Sequence, residues 1–308
     1  MTLVILVLAL LSVGWLCTPD LERATLEARY AAAADGSSFA TVDGVRLHIR
    51  DSAPGDTARP ALVLLHGFGA SLHTREPWAQ ALAATQRVIR IDLTGAGLTG
   101  VDPSGDYSDT RSMRLLAALL DERGLQQASF IGHSMGGRLA WRFAAEQPAR
   151  IDRLVLIAPD GFASPGFEYG KPPEVGLLVQ AMKFVLPRAV LKSGLAPAYA
   201  DPQRLSEDTV TRYHELMRAP GVRGALIGRM QQLVLQDPAP LLARVRAPTL
   251  LLWGAQDAMI PPAHAQDYLK AMPDARLFTL PGLGHLPHEE APAESLPPVL
   301  AFLSGAPG

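Results

Sequence analysis

Cysteine is almost missing from this chain: its 308 residues hold one, Cys17. That excludes an internal disulfide and any cysteine-based metal cluster, so the fold has to stand on packing. Net charge is nearly missing too. The 28 Lys and Arg against 30 Asp and Glu leave a formal charge of -2, and the basic residues are scattered. Such a chain has no positive field to steer a polyanion, and nucleic acid is not an expected partner. No internal repeat and no low-complexity tract occurs. What is plentiful is apolar residues, 48% of the total, enough at this length to fill a sizeable core in one large domain with an insertion, or in two modest ones.

One uncharged run stands apart, Leu3 to Cys17, "LVILVLALLSVGWLC". It is shorter than the ~18 to 20 apolar residues of a comfortable transmembrane helix, and no Lys or Arg precedes it. An uncleaved anchor, a cleaved signal and a buried N-terminal helix are weighed in that order. Leu16 before Cys17 argues against a lipoprotein site. The expectation is a chain membrane-attached through residues 3–17 or exported, in preference to a cytoplasmic one. Residues 1–18 then form an anchor or signal segment, and 19–38 a linker.

After the leader, "FATVDGVRLHIRD" alternates on both sides of Asp43-Gly44 and reads as a β-hairpin. From Ala61 the pattern changes to continuous apolar runs such as "ALVLLHG", "RVIRIDL", "ASFIGH", "RLVLIAP", "PTLLLWG" and "ARLFTLPG". Strands apolar on both faces, alternating with helices such as Asp109 to Arg123, indicate a mostly parallel central sheet flanked by helices, an α/β fold. The strand rhythm stops from Gly161 to Pro240, where "EVGLLVQAMKFVLP", "LSEDTVTRYHELM" and "VRGALIGRMQQLVL" each read as a helix. The expected division is a core of 39–160 and 241–308 interrupted by a helical lid of 161–240, with a plain packing layer as the alternative.

Gly132-His133-Ser134-Met135-Gly136 fits G-x-S-x-G, with a strand before it and a helix after it. Glycine two residues either side of the serine permits a turn too sharp for a side chain. The hydroxyl then stands at the carboxyl end of the sheet, beside the free N–H groups of a helix start. A serine at its own pKa needs a base, and the base an orienting acid. His285 follows the last strand signal in a glycine-rich loop, and Asp257 follows the strand before it. Asp160, after another strand, is the rival acid, and His288 the rival base. A turn role suits Asp160, and a solvated or helix-capping role suits His288.

In order along the chain, "LLHGFGAS", "DLTGAGLTG", "GHSMGG", "GAQDAMIP" and "GLGHLPHEEAP" resemble the α/β-hydrolase fold superfamily, in its lidded lipase- or esterase-like branch, from Asp43 to Leu303. The resemblance implies Ser134 as nucleophile, His285 as general base and Asp257 as its partner. It also implies the backbone N–H groups of Phe68 and Met135 as an oxyanion hole. The implied activity is hydrolysis of a small hydrophobic carboxylic ester through an acyl-enzyme. The alternatives are a carbon–carbon hydrolase of ring-cleavage diketones, a haloperoxidase or perhydrolase, and a ligand-binding module on the same fold.

The remaining features have plainer readings. His66 is expected to shape the oxyanion turn and His133 to pack beside the elbow. His48, His73, His214 and His264 read as surface or supporting groups. No histidine spacing makes a metal site, and "TGAGLTG" does not complete a dinucleotide fingerprint, so neither metal nor cofactor is expected. Thr94, where the resemblance favours proline, reads as harmless, and Arg75 as solvated near the oxyanion loop, with a place at the pocket mouth for an acidic substrate group as the alternative. Met182, Phe184, Met217 and Met230 are the apolar lid residues expected to suit a hydrophobic substrate.

Overall fold

The computed structural model describes residues 17–164 and 167–305. All of the apolar leader except Cys17 therefore lies outside the described residues. Among the described residues no helix is long and apolar enough to cross a membrane. That finding counts against the expected membrane attachment, for which the described residues supply no spanning segment; residues 3–16, on which the expectation of an anchored or exported chain rested, lie outside them.

The alternating segment forms the expected hairpin, with β1 (Ser37–Val42) antiparallel to β2 (Val45–Asp51). Asp43 and Gly44 have φ of 45° and 79°, the successive positive values that a two-residue turn needs to match strand twist. The continuous apolar runs become β3 (Ala61–Leu65), β4 (Arg87–Ile91), β5 (Ala128–His133), β6 (Ile151–Ile157), β7 (Thr249–Gly254) and β8 (Ala275–Leu280). The eight strands lie in the order β1-β2-β4-β3-β5-β6-β7-β8, parallel from β4 onward. The reason for the continuous runs is visible in the packing. Val63 and Leu65 join Phe130 in the core on one face, while Leu62 and Leu64 join Ile131 on the other.

β3 lies between β4 and β5, so chain order reverses there. A crevice opens at the carboxyl ends of β3 and β5, the usual position of a ligand in an open α/β sheet.

Between β6 and β7 the chain leaves the sheet and forms the helices Leu177–Ala181, Arg188–Leu195, Glu207–Met217, Val222–Gln232 and Ala239–Leu242. The first is shorter than its sequence suggests. Leu177 and Leu178 are 83% and 89% exposed, so no buried stripe supports a longer helix against its nucleation cost. Side chains fasten this insertion to the core. The buried Arg229 donates to the Tyr107 carbonyl at 3.0 Å and to the carbonyl and hydroxyl of Thr94 at 2.8 and 3.0 Å. Thr94 thus has a use that proline could not fill. Arg212 pairs with Glu289, which also accepts from the Tyr213 hydroxyl at 3.0 Å.

Residues 19–38 hold more than a linker. The helix Arg23–Tyr30 buries Leu26, Arg23 donates to the Leu98 carbonyl at 2.8 Å, and Tyr30 donates to Glu215 of the insertion at 2.7 Å.

Candidate active site

Ser134 follows β5 and stands at the N-cap position of the helix Met135–Glu146 with φ 51° and ψ -121°, a conformation that costs a non-glycine residue on the order of 1–3 kcal/mol and persists only where neighbours impose it. Those neighbours are backbone. A Cβ on Gly132 would lie 2.4 Å from the Gly136 carbonyl oxygen, and one on Gly136 would lie 2.4 Å from that of Leu65. The glycines of the motif are therefore required by close approach between β5, its helix and β3. As the first helical residue, Met135 has an N–H without an intrahelical partner.

Across the crevice, the turn after β3 is set by His66. The Leu93 N–H donates to His66 Nε2 at 2.9 Å, so the proton is on Nδ1, which donates to the Gly67 carbonyl at 2.7 Å. Burial holds the ring neutral, with its pKa pushed down to about 4. That bond orients the peptide leading to Phe68. A Cβ on Gly67 would meet His133 Nδ1 at 2.7 Å and Ser134 Cβ at 3.3 Å, so the turn lies directly against the elbow.

His285 Nδ1 and Asp257 Oδ2 are 2.8 Å apart, and both side chains are buried. A carboxylate only accepts, so Nδ1 carries the proton and Nε2 of the neutral ring is the basic nitrogen. Asp257 Oδ1 accepts the N–H groups of Met259 and Ile260 at 2.8 and 2.9 Å, which fixes the carboxylate plane. The rival acid is engaged elsewhere, since Asp160 pairs with Arg138, which in turn meets Asp109 at 3.0 Å. Burial works against the charged Arg138, but the two carboxylates outweigh it and hold its pKa above the usual arginine value.

Ser134, His285 and Phe68 line one cavity of about 230 Å³. Its walls are mostly apolar, with Phe162, Met230, Leu233 and Leu235 contributed by the insertion and Ile260 by the loop after β7, beside the paired Arg138 and Asp160. Of the four insertion residues singled out from sequence, Met230 alone is in this lining. Met217 is buried in a separate cluster, Met182 packs on its edge, and Phe184 is 66% exposed. Helical periodicity identifies a stripe but not the neighbour that the stripe faces.

Two further expectations are corrected by burial, and a third is narrowed to its supporting role. Arg75 is 2% exposed rather than solvated, donating to the Leu65 carbonyl at 2.8 Å at the carboxyl end of β3. Desolvation lowers its pKa to about 9. His288 is fully buried, edge-on to Trp78 and His133, with neither ring nitrogen bonded. His48 and His73 are also buried. The His48 ring bonds Asp92 at 2.7 Å, and the same carboxylate accepts the N–H groups of Leu72 and Leu98. Of the glycines of "TGAGLTG", Gly97 serves this group: a Cβ on it would fall 2.2 Å from Asp92 Oδ2.

The sequence pattern of the alpha/beta hydrolase fold matches residues 60–292. The chain belongs to the α/β-hydrolase family. It is 32% identical over 247 residues to a dihydrolipoyllysine-residue acetyltransferase component of the acetoin cleaving system of Pseudomonas putida, an alignment covering 79% of this chain and 63% of that one. It is 26% identical over 262 residues to a 2-hydroxy-6-oxo-6-phenylhexa-2,4-dienoate hydrolase of Burkholderia cepacia, covering 81% and 90%. A hydrolase from Pseudomonas aeruginosa PA01 of known crystal structure superposes with a TM-score of 0.74 at 30% identity, covering 88% of this chain and 99% of that one.

Proposed function

We propose that this α/β hydrolase is a serine hydrolase that cleaves hydrophobic carboxylic esters through an acyl-enzyme, with the insertion acting as a lid. The observation that carries the reading is the buried 2.8 Å contact of His285 with Asp257 on the same cavity as a strained Ser134. His285 Nε2 takes the Ser134 proton as Oγ attacks the ester carbonyl. The developing oxyanion is held by the N–H groups of Phe68 and Met135, each worth about 3 kcal/mol to the transition state if lost. His285 then gives its proton to the leaving alkoxide. A water activated by the same nitrogen releases the acid and restores Ser134.

The cavity favours a neutral substrate. Arg138, the cation in its wall, is bound by two carboxylates, so among the described residues of the lining no positive charge is free for an acidic group. A dienoate such as the one named for the Burkholderia relative carries a carboxylate, and these described residues offer it no unpaired cation. Carbon–carbon hydrolysis is therefore the second reading.

The test is labelling by a fluorophosphonate together with turnover of p-nitrophenyl esters of graded length and of a ring-cleavage diketone acid. Wild type is expected to take label and cleave esters, and Ser134→Ala to do neither. Diketone cleavage without ester cleavage would select the second reading, and a wild type inert to label and ester would end the first.

A further inference from the structure

His285 sits in a loop beyond β8, yet general-base catalysis requires its ring to be held within roughly 0.5 Å of the productive position. The loop is tied on three sides. The His285 and Leu286 N–H groups both donate to the Ala198 carbonyl of the insertion, at 2.8 and 3.2 Å. Nε2 of His133, protonated because its partner is a carbonyl, donates to the His285 carbonyl at 2.9 Å. The third tie is Glu290. This buried carboxylate accepts the Gly284 N–H on Oε2 at 2.8 Å and the Asp201 N–H, from the insertion, on Oε1 at 3.0 Å. A Cβ on Gly284 would lie 2.6 Å from the Ala200 nitrogen and 2.7 Å from the Ala198 oxygen, so the two segments touch backbone to backbone.

We propose that Glu290 is a positioning residue for His285, clamping the base loop to residues 198–201 so that the base is aimed only while that part of the insertion is docked. This rests on His285 acting as the base. The clamp requires a carboxylate. Both partners are N–H donors, and glutamine, of the same shape, has one acceptor and turns an NH2 toward the other donor.

The experiment compares wild type with Glu290→Gln. The readouts are p-nitrophenyl ester kinetics, the rate of fluorophosphonate labelling, thermal melting, and hydrogen exchange of peptides spanning 198–201 and 283–290. The expected result is a kcat reduced about tenfold to a hundredfold, as displacement of a reacting group by ~1 Å would give. KM should stay within about twofold, labelling should slow in parallel and exchange should quicken in both peptides, with a cooperative melt retained. A packing role predicts that Gln serves as well as Glu. A folded variant with unchanged kcat, labelling and exchange overturns the proposal.

If Glu290→Gln does not fold, wild-type exchange decides. The two peptides open together if the clamp holds, and fast exchange of 198–201 beside a protected 283–290 overturns it. A wild type inert toward label and ester would defeat the esterase reading, while exchange would still test the clamp.

Discussion

The two walls of the cavity are built differently. On the sheet side, backbone meets backbone. An added Cβ would lie 2.4 Å from a carbonyl oxygen at Gly132 and at Gly136, and 2.1 Å from the Gly284 oxygen at Gly254. On the insertion side, apart from residues 198–201, long side chains reach across to the core: Arg229 to Thr94 and Tyr107, Gln232 to the Gly105 carbonyl, Arg212 to Glu289. The first construction leaves no room for a side chain and should fail abruptly. The second is a set of separate bonds and should weaken by degrees.

The largest effect is therefore expected at Gly136. Gly136→Val forces branched carbon against the Leu65 and His66 carbonyls, and overpacking against immobile backbone costs about 3 kcal/mol or more. Urea unfolding should show that loss. Any folded fraction should take no fluorophosphonate label, because β5 and its helix can no longer hold Ser134 at φ 51°.

Acid should also act first on the sheet side. His66 and His73 have pKa values lowered to about 4, and His133 and His288 lie well below the usual value, in each case chiefly through burial. All four belong to the loops and strand ends at the carboxyl edge of the sheet. The unfolded chain takes up protons below about pH 6.5, whereas folded His66 and His73 do not until near pH 4, and His133 and His288 resist protonation well below the ordinary imidazole range. Stability is thus intact above 6.5 and lost as pH falls toward 4, by up to about 1.4 kcal/mol per pH unit for each histidine. Urea melts at pH 7, 6 and 5 should follow this slope. His288→Leu should flatten it and cost little at pH 7, since neither ring nitrogen has a bond to lose. A slope unchanged in that variant would remove His288 from the account.

The insertion side is tested at Arg229. Arg229→Met keeps the apolar stem but strips hydrogen bonds from the carbonyls of Thr94 and Tyr107, at about 1–3 kcal/mol for each buried acceptor left unpaired. A lowered melting temperature with Ser134 still open to a small fluorophosphonate is the expected outcome. Complete loss of labelling would mean that the insertion shapes the elbow itself, and the contrast between the walls would collapse.

The same contrast explains what could be read from the sequence. The glycines around Ser134 answer to neighbours within a few residues or on the next strand, and the strand-end positions of Asp257 and His285 follow from chain order, so this half of the site was legible. Burial of a polar group depends on a partner far along the chain. Arg75 reads as solvated until the Leu65 and Ile131 carbonyls are seen facing it. Thr94 is unremarkable until Arg229 arrives from 135 residues away. Glu290 gave no signal, because its acceptors bind backbone N–H groups, one of them 89 residues distant, and an N–H is carried by every residue type but proline. The insertion was legible as helices, but its cavity-facing residues were not, since an apolar stripe is written alike whether it meets core, pocket or water.

The smallest effect should have the opposite sign, and it lies in the insertion. Gly224 is in the helix Val222–Gln232, and an added Cβ there would meet nothing within 4 Å. Glycine in a helix carries an entropic cost of roughly 0.5–1 kcal/mol relative to alanine. Gly224→Ala should therefore raise stability by about that amount, with ester turnover unchanged. The same one-carbon addition at Gly136, Gly136→Ala, should lower both stability and labelling, so the pair compares the two walls with identical chemistry. If Gly224→Ala instead lowers turnover while the melt rises, the insertion must flex during each cycle, because stiffening it would then cost rate.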